Sequence, residues 1–460
     1  MIRKRAVTCL ALGAVLAGCT MAPRYARPDP AIPPAWPSGD AYLRESEAAL
    51  PSYDWRTVMA DARLRAVIEQ ALAANQDLKL ATANIAAARA QFDVQKAELL
   101  PTVNFNAGLS RSDNGGGPSS SADAQVGVTG YEIELFGRVR SMNDAAKGRY
   151  FASVSAARAA RLTLIADVAD AWLNLGADLS LLDLARQTQA AAGESYRLAS
   201  ARYTGGVAPR TDMRQAEQVL RTAEADVANQ TTLVAQDRNA LRLLVGTDVD
   251  PANLPGSIAD AASGISDVPA GLSSEILLRR PDVVEAEWQL RAANAQIGAA
   301  RAALFPRISL TGLLGLVSPG LSGLFSGGSF VWQGGAAANY PIFSGGAGKA
   351  NVRLSEAQRD AALAGYQKAI QTAFADVANA LARRGTITAQ TRAVEAGDAA
   401  AEDNLSLADA RYRGGIDSYL QDLTARVARY NAARSLIQTR LLSATNRVSL
   451  YRALGGDQSI

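Results

Sequence analysis

The sequence predicts an α+β membrane protein assembled from two copies of one structural unit, and three observations carry that prediction. The first is self-similarity: "AQFDVQKAELLP" ending at Pro101 matches "AQIGAARAALFP" ending at Pro306, and "ADVADA" at 166–171 matches "ADVANA" at 375–380. The second is a set of four segments of roughly ten to thirteen residues in which apolar and polar positions alternate, the length and period of a tilted bilayer-crossing strand. The third is a pair of long Ala-rich runs, each closed by the same Arg-Tyr-x-Gly-Gly signal, at Arg202–Gly206 and Arg411–Gly415.

The N-terminus "MIRKRAVTCLALGAVLAGCT" reads as an export signal over residues 1–18, with a basic start and an apolar stretch too short to span a bilayer as a helix. Leu16-Ala17-Gly18-Cys19 resembles a bacterial lipobox, in which Cys19 is acylated and becomes the mature N-terminus. Cys9 lies within the signal, so the mature chain keeps one thiol and structural disulfides are excluded. Thr20 follows the cysteine where an inner-membrane retention signal would place Asp. By resemblance to lipoprotein sorting, this implies the outer membrane.

Residues 19–58 are expected to form the lipidated N-terminal segment and part of an equatorial region; the first repeat is assigned to 59–247. Residues 60–99 lack Gly and Pro and are expected to be one helix, ended by Pro101 because the residue before proline is driven towards extended structure. "TVNFNAGLS" then alternates Val103, Phe105, Ala107 and Leu109 with Asn104, Asn106, Gly108 and Ser110, one strand with two unlike faces. "DNGGGPSSSAD" at 113–123 is expected to be a polar loop, and "AQVGVTGYEIEL" a returning strand whose Glu132 and Glu134 face a lumen.

A helix from about 140 to 203 follows, with Leu162, Ile165, Val168, Trp172, Leu175, Leu179 and Leu182 spaced by three and four in a coiled-coil seam. The two glycines after Tyr203 reverse the chain, and a second helix returns to about 245. Residues 248–274, rich in Pro, Gly and Ser, are a linker packing around the middle. The second repeat, 275–456, runs through the same order: helix, strand from 307, loop, strand to 342, long helix to Tyr412, reversal, helix. Residues 457–460 form a tail. Trp332 and Tyr340 are candidates for the bilayer interfaces.

Composition narrows the function. The net charge is +3, and removing Arg3, Lys4 and Arg5 from the 47 basic residues leaves 44 against 44 acids, so no nucleic-acid partner is indicated. With no histidine, a mature thiol reserved for lipid and no phosphate loop between strand and helix, the chain is not read as an enzyme. No cofactor is expected beyond the covalent lipid on Cys19. Four strands cannot close a barrel, since the smallest membrane barrels use about eight, so copies must associate; dimer, trimer and tetramer all satisfy the count. A periplasmic coiled-coil scaffold lipoprotein with a small sheet away from lipid is the bland alternative, favoured by the blurred alternation at Leu313, Gly315 and Val317.

Several motifs in a fixed order make the pattern specific. Cys19 followed by "MAPRYARP", "LLRRPDVVEAEWQL" at 277–290, "YPIFSGG" at 340–346 and the two Arg-Tyr-x-Gly-Gly hairpins resemble the outer-membrane efflux lipoproteins, the TolC- and OprM-like exit ducts of tripartite resistance-nodulation-division (RND) pumps. The resemblance implies a homotrimer with a twelve-stranded β-barrel in outer-membrane lipid and a long α-helical periplasmic tunnel. It also implies a periplasmic adaptor, or membrane fusion protein, and an inner-membrane RND transporter as partners. Passive export of drugs or other small molecules follows, with a duct for protein or metal export as the alternative.

In that family the hairpin tips close the tunnel. Carried over by position, Gly205, Gly206, Gly414 and Gly415 are the tips and adaptor contacts, and Arg202, Tyr203, Arg411, Tyr412 and Arg413 the polar residues beside them. Asp212 and Asp417 are placed on the returning helices, where they could pair with those residues. The family often carries pore-facing carboxylates where this chain has Gln421 and Thr424; Asp422 points elsewhere, which leaves Asp212 as the better pore-facing acid.

Overall fold

The structure is a computed structural model that describes residues 20–29, 37, 42, 54–113, 115, 117–267 and 274–456. The signal peptide, Cys19 and the tail at 457–460 lie outside the described residues. Two compact units form: one gathers Met1–Pro30, Ala83–Ser155 and Val284–Lys368, the other Ala31–Thr82, Ala156–Val283 and Ala369–Ile460. The elements run α1 (Trp55–Val58), α2 (Ala62–Ala74), α3 (Gln76–Ala97), β1 (Val103–Asp113), β2 (Pro118–Glu132), α4 (Arg138–Thr204), α5 (Arg210–Val245), α6 (Ile258–Ser263), α7 (Pro281–Ala302), β3 (Arg307–Ser318), β4 (Phe330–Asn339), α8 (Ala347–Arg413) and α9 (Tyr419–Ala453). The order helix, strand, strand, long helix, helix occurs twice, as the repeat requires.

In the first unit the four strands form one antiparallel sheet in the order β1-β2-β3-β4. Register sorts the side chains into two faces. Val103, Phe105, Ala107 and Leu109 stand opposite Val128, Val126, Ala124 and Ala122, and the apolar face continues through Leu314 and Leu316 to Trp332 and Phe330. The other face carries Asn106 opposite Gln125, Gly108 opposite Asp123, and Leu313 opposite Gln333. The bulky Leu313 fits on this polar face because its other neighbour is Gly127, where a Cβ would meet the Gly312 carbonyl at 2.1 Å and the Leu313 Cα at 2.8 Å.

Two expectations about this region need correction. Residues 118–123, expected in a loop, are strand: Ser112 and Ser119 hydroxyls lie 3.3 Å apart across the ladder, so the polar composition belongs to a strand end. Glu134, expected on a strand facing a lumen, lies beyond β2, and its carboxylate accepts from the Val139 and Arg140 amides at 2.7 and 3.1 Å, satisfying free donors in the first turn of α4. Glu132 is held by Arg138 at 2.7 Å, which leaves Asp123 as the acid on the polar face of the described strands without an ion-pair partner. Trp332 sits on the apolar face, three-quarters exposed, and Tyr340 follows β4.

The second unit is helical. The predicted seam of α4 is inside: Ile165, Val168, Trp172, Leu175 and Leu182 are buried. Trp172 donates its indole N–H to the Asn253 carbonyl at 2.9 Å and carries the Arg63 guanidinium over its ring, while Arg63 also binds Asp61 at 2.7 Å and Asp260 at 2.9 Å. The linker thereby docks on α4, and Gly176 admits it, since a Cβ there would lie 3.0 Å from the Ser257 carbonyl. The single helix expected over 60–99 is interrupted. Asn75 ends α2 with ψ 134° and is almost fully buried; its amide N–H reaches the Leu244 carbonyl at 2.8 Å and its oxygen accepts from the Leu78 amide at 2.9 Å. One asparagine thus stops one helix and starts the next.

The glycine seam between β2 and β3 gives a direct test. Gly127→Val should cost about 2 kcal/mol or more and abolish the heat-resistant barrel fraction on gel electrophoresis, while Gly312→Ala, with nothing within 4 Å of its new Cβ, should leave it unchanged. Equal behaviour of the two variants would contradict the register.

Candidate functional site

The candidate site is the pair of helical reversals in the second unit. Backbone physics builds both alike. At the first, the Gly205 amide donates to Ala201 O at 2.9 Å, Gly206 to Tyr203 O at 3.0 Å and Val207 to Arg202 O at 2.9 Å. At the second, Gly414 donates to Ala410 O at 3.0 Å, Gly415 to Tyr412 O at 3.0 Å and Ile416 to Arg411 O at 3.0 Å. This is a Schellman-type end, which needs one left-handed residue; Gly206 (φ 73°) and Gly415 (φ 72°) supply it. Gly205 and Gly414 keep negative φ, so of each expected glycine pair only the second is demanded by conformation.

The two hairpins meet through side chains. Tyr412 and Tyr419 are buried with ring centroids 5.5 Å apart, packed with Ala199 and Ala216 of the first hairpin and flanked by Tyr196 and Leu423. Arg202 lies over the Tyr412 ring at 5.0 Å and donates to its carbonyl at 3.4 Å. Burial, with the nearby Asp422 carboxylate, pushes the Tyr419 phenol up to about 12, and burial raises Tyr412 as well. Both rings are therefore neutral at physiological pH.

The charged residues take different places from those expected. Asp417 is in the turn before the Ser418 N-cap, not on the returning helix, and is gripped by Arg411 at 2.6 and 2.9 Å, a bond that braces one reversal from within. That bond holds the half-buried Asp417 carboxyl below its usual range. Arg413 pairs with Asp409 on its own helix at 2.8 Å. Asp212 lies half-buried in the first turn of α5, Tyr203 is exposed, and Gln421 and Thr424 are exposed on α9. Asp422 is fully buried, paired with Arg426 at 2.8 Å, and Arg426 also binds Asp409 on α8.

Arg426 and Asp409 were not singled out from sequence, because residues 17 apart become neighbours only once the chain reverses. Further along, Arg429 reaches Asp398 and Glu402, and Arg440 reaches Glu395, so α8 and α9 are laced by ion pairs. A groove of about 620 Å³ near these residues is lined by Leu184, Val219, Ala223, Leu423, Val427 and Tyr430.

Among the described residues no ion pair joins α4 and α5 of the first hairpin. Instead Asp178 of α4 faces Asp237 of α5, and one Asp237 oxygen is buried without a hydrogen-bond donor. Burial and the neighbouring Asp178 push Asp237 up to about 6 from 3.8; burial raises Asp178 too. A folded-state carboxyl that holds its proton more tightly than the unfolded chain stabilises as pH falls through about 6, and that stability is lost above it. Asn446 occupies the matching place in the second repeat, at the offset of 209. Asp237→Asn should therefore raise the melting temperature at pH 7.5, and the gain should shrink by pH 5; a lower melting temperature at pH 7.5 would show that the carboxylate is favourably paired.

With fold and site in place, likeness to known proteins is specific. The family profile for outer membrane efflux protein matches residues 67–247 and 272–456. An antibiotic efflux pump outer membrane protein, ArpC of Pseudomonas putida, is 41% identical over 452 residues, covering 96% of this chain and 93% of its own length. Outer membrane protein OprJ of Pseudomonas aeruginosa is 39% identical over 458 residues, covering 98% and 95%. The open-state crystal structure of the Neisseria gonorrhoeae MtrE outer membrane channel superimposes with a TM-score of 0.85 at 36% identity, covering 96% of this chain and all of that one. A duplicated helix-strand-strand-helix unit, glycine-capped reversals and likeness along nearly the whole length converge: the chain belongs to the outer membrane efflux protein family.

Proposed function

We propose that the chain is the outer-membrane exit duct of a tripartite RND-type efflux pump, conducting small amphiphilic molecules passively from periplasm to exterior. The observation that carries this reading is the presence, in one chain, of a four-stranded sheet with one apolar face and two reversals joined at Arg202 and Tyr412. Three copies supply twelve strands, pairing the β1 edge of one with the β4 edge of the next. The polar face of each sheet then lines a water-filled lumen. Relatives are named for efflux of antibiotics and of toluene, which supports small, partly apolar cargo.

Opening takes place at the reversals. The Arg202–Tyr412 joint combines a cation-π contact and a long hydrogen bond, roughly 1–1.5 kcal/mol per chain and roughly 3–5 kcal/mol over three copies. An adaptor that prefers the open tips by about 5.5 kcal/mol suffices to invert a population held 99:1 closed. A periplasmic adaptor seated at the tips is thus an adequate trigger, with the energy for transport coming from the inner-membrane partner.

In planar bilayers Arg202→Ala should raise single-channel conductance several-fold, whereas Asp417→Ala, which loosens one turn from within, should change it less; no change for Arg202→Ala would remove this joint from the gate. The lipobox at Cys19 supports a covalent lipid as a membrane anchor. Radioactive fatty acid should label the parent protein and fail to label Cys19→Ser, and a labelled variant would refute acylation at that residue.

A further inference from the structure

The two strand hairpins of the first unit end in unlike tips, one polar and one apolar, and register fixes where each begins. Leu109 of β1 stands opposite Ala122 of β2, and Ala122 opposite Ser318 of β3, so the three form one row on the apolar face. Beyond that row, on the side away from α3 and α4, β1 turns Arg111 and Asp113 to the same face, and the β1–β2 hairpin runs on to the pair Asp113 and Pro118. Apolar side chains on this face therefore stop at the row, where β3 also ends. The second hairpin is different in kind: between Arg307 and Lys349 the chain carries no charged residue.

The β3–β4 tip, residues 318–329, folds back over the apolar face. A Cβ at Gly323 would lie 3.0 Å from Ser318 Oγ, a side chain that stands on that face. Ala122 and Ser318 are accordingly 1% and 6% exposed, and Leu324 of the tip 5%. The tip pairs its polar groups internally. Ser318 Oγ donates to the Gly320 carbonyl and accepts from the Gly320 amide at 3.2 Å. Ser329 Oγ donates to the Leu324 carbonyl at 2.7 Å and Ser326 Oγ to the Gly323 carbonyl at 2.6 Å. The amides of Gly323, Leu324, Ser326 and Ser329 each donate to a carbonyl three residues back. What remains on the surface is Leu321 and Phe325, 64% and 83% exposed, followed by Phe330 on the apolar face at 64%. Satisfied backbone with apolar side chains outermost is what hydrocarbon demands of a segment and water does not reward. Height agrees. A membrane barrel presents an apolar band about 25 Å tall, and a strand tilted by about 40° gains roughly 2.5 Å of height per residue, so about ten residues cross it. β4, Phe330–Asn339, has that length, which puts the tip at the edge of the band.

We propose that the β3–β4 tip is a membrane foot, in which Leu321 and Phe325 sit among acyl chains at the outer border of the bilayer and fix the depth of the barrel. The occupant is lipid because the tip lies on the face that the sheet already turns to hydrocarbon, and because it offers no charge to a polar partner. This rests on the outer-membrane duct reading. Three copies then alternate polar β1–β2 hairpins, which stand in water, with apolar feet that resist both sinking and tilting of the barrel.

The experiment uses the purified full chain in phospholipid vesicles, with a thiol-reactive fluorophore on Phe325→Cys, Trp332→Cys or Asp113→Cys and the parent chain labelled in parallel as background. All three positions are exposed, and the heat-resistant barrel fraction on gel electrophoresis confirms that each variant folds. Bromine placed on the acyl chains should quench Phe325→Cys at least half as strongly as Trp332→Cys. Iodide on both sides of the bilayer should quench it less than half as strongly as Asp113→Cys. Iodide quenching of Phe325→Cys equal to that of Asp113→Cys would put the tip in water and overturn the foot. Quenching by neither agent would put it against protein, a neighbouring copy included, and overturn the foot equally. Absence of lipid quenching at Trp332→Cys as well would strike the barrel itself, which separates failure of the duct reading from failure of the foot.

Discussion

A backbone amide or carbonyl finds no partner in hydrocarbon, and that constraint governs the strand unit of this chain. Three ladders are completed internally, and the outer edges of β1 and β4 are left for neighbouring copies. The middle ladder, β2 to β3, joins the two repeats, and there two glycines leave no room for a Cβ. Gly127 meets the Gly312 carbonyl, and Gly315 would place a Cβ 2.2 Å from the Ala124 carbonyl. Within the β3–β4 hairpin, by contrast, Gly335 has open space. A duplicated hairpin brings its own turn but not its own seam, and glycines at the seam let two copies approach as one sheet.

Duplication also left two reversals with the same backbone and different side chains. Through the offset of 209, Asp422, Arg426 and Asp409 match Met213, Glu217 and Ser200, so the buried ion cluster of the second hairpin has no counterpart in the first. Burying such charges contributes little net stability, but breaking one member leaves an unpaired buried charge, so the arrangement penalises alternatives. The second hairpin therefore behaves as a laced unit. The first has Asp178 facing Asp237 where the second has ion pairs, so the two hairpins are held by unlike means.

Much of this was legible from sequence because it rests on local chemistry. The glycine reversals, the buried heptad seam of α4 and the alternating faces of β1 all depend on spacings within a few residues. What escaped depends on partners far along the chain or on one residue doing two tasks. Asn75 breaks a helix without Gly or Pro because Leu244 and Leu78 both use its side chain. Glu134 reads as strand until α4 begins four residues later and needs its carboxylate. Asp417 looks helical from its neighbours, but its carboxylate is committed to Arg411 across the turn. Glu287 lies in a helix whose sequence gives no sign that Arg27, 260 residues away, completes its charge.

The chain has few aromatics, and it uses several in the same way, under an arginine from a distant segment: Arg202 over Tyr412, Arg63 over Trp172 and Arg291 over Tyr25. Each such contact is worth only about 0.5–2 kcal/mol, so the ring alone cannot decide whether a joint is permanent. The second partner of the guanidinium decides it. Arg63 is also held by Asp61 and Asp260, and Arg291 by the buried Glu287, so each of these guanidiniums is fixed in place by carboxylates as well as by its ring. Arg202 donates to the Tyr412 carbonyl at 3.4 Å and, among the described residues, forms no ion pair with a carboxylate. Withholding a carboxylate there lets the contact between the hairpins be undone without leaving a buried charge behind, a property that the proposed gate needs and a linker or an anchor does not.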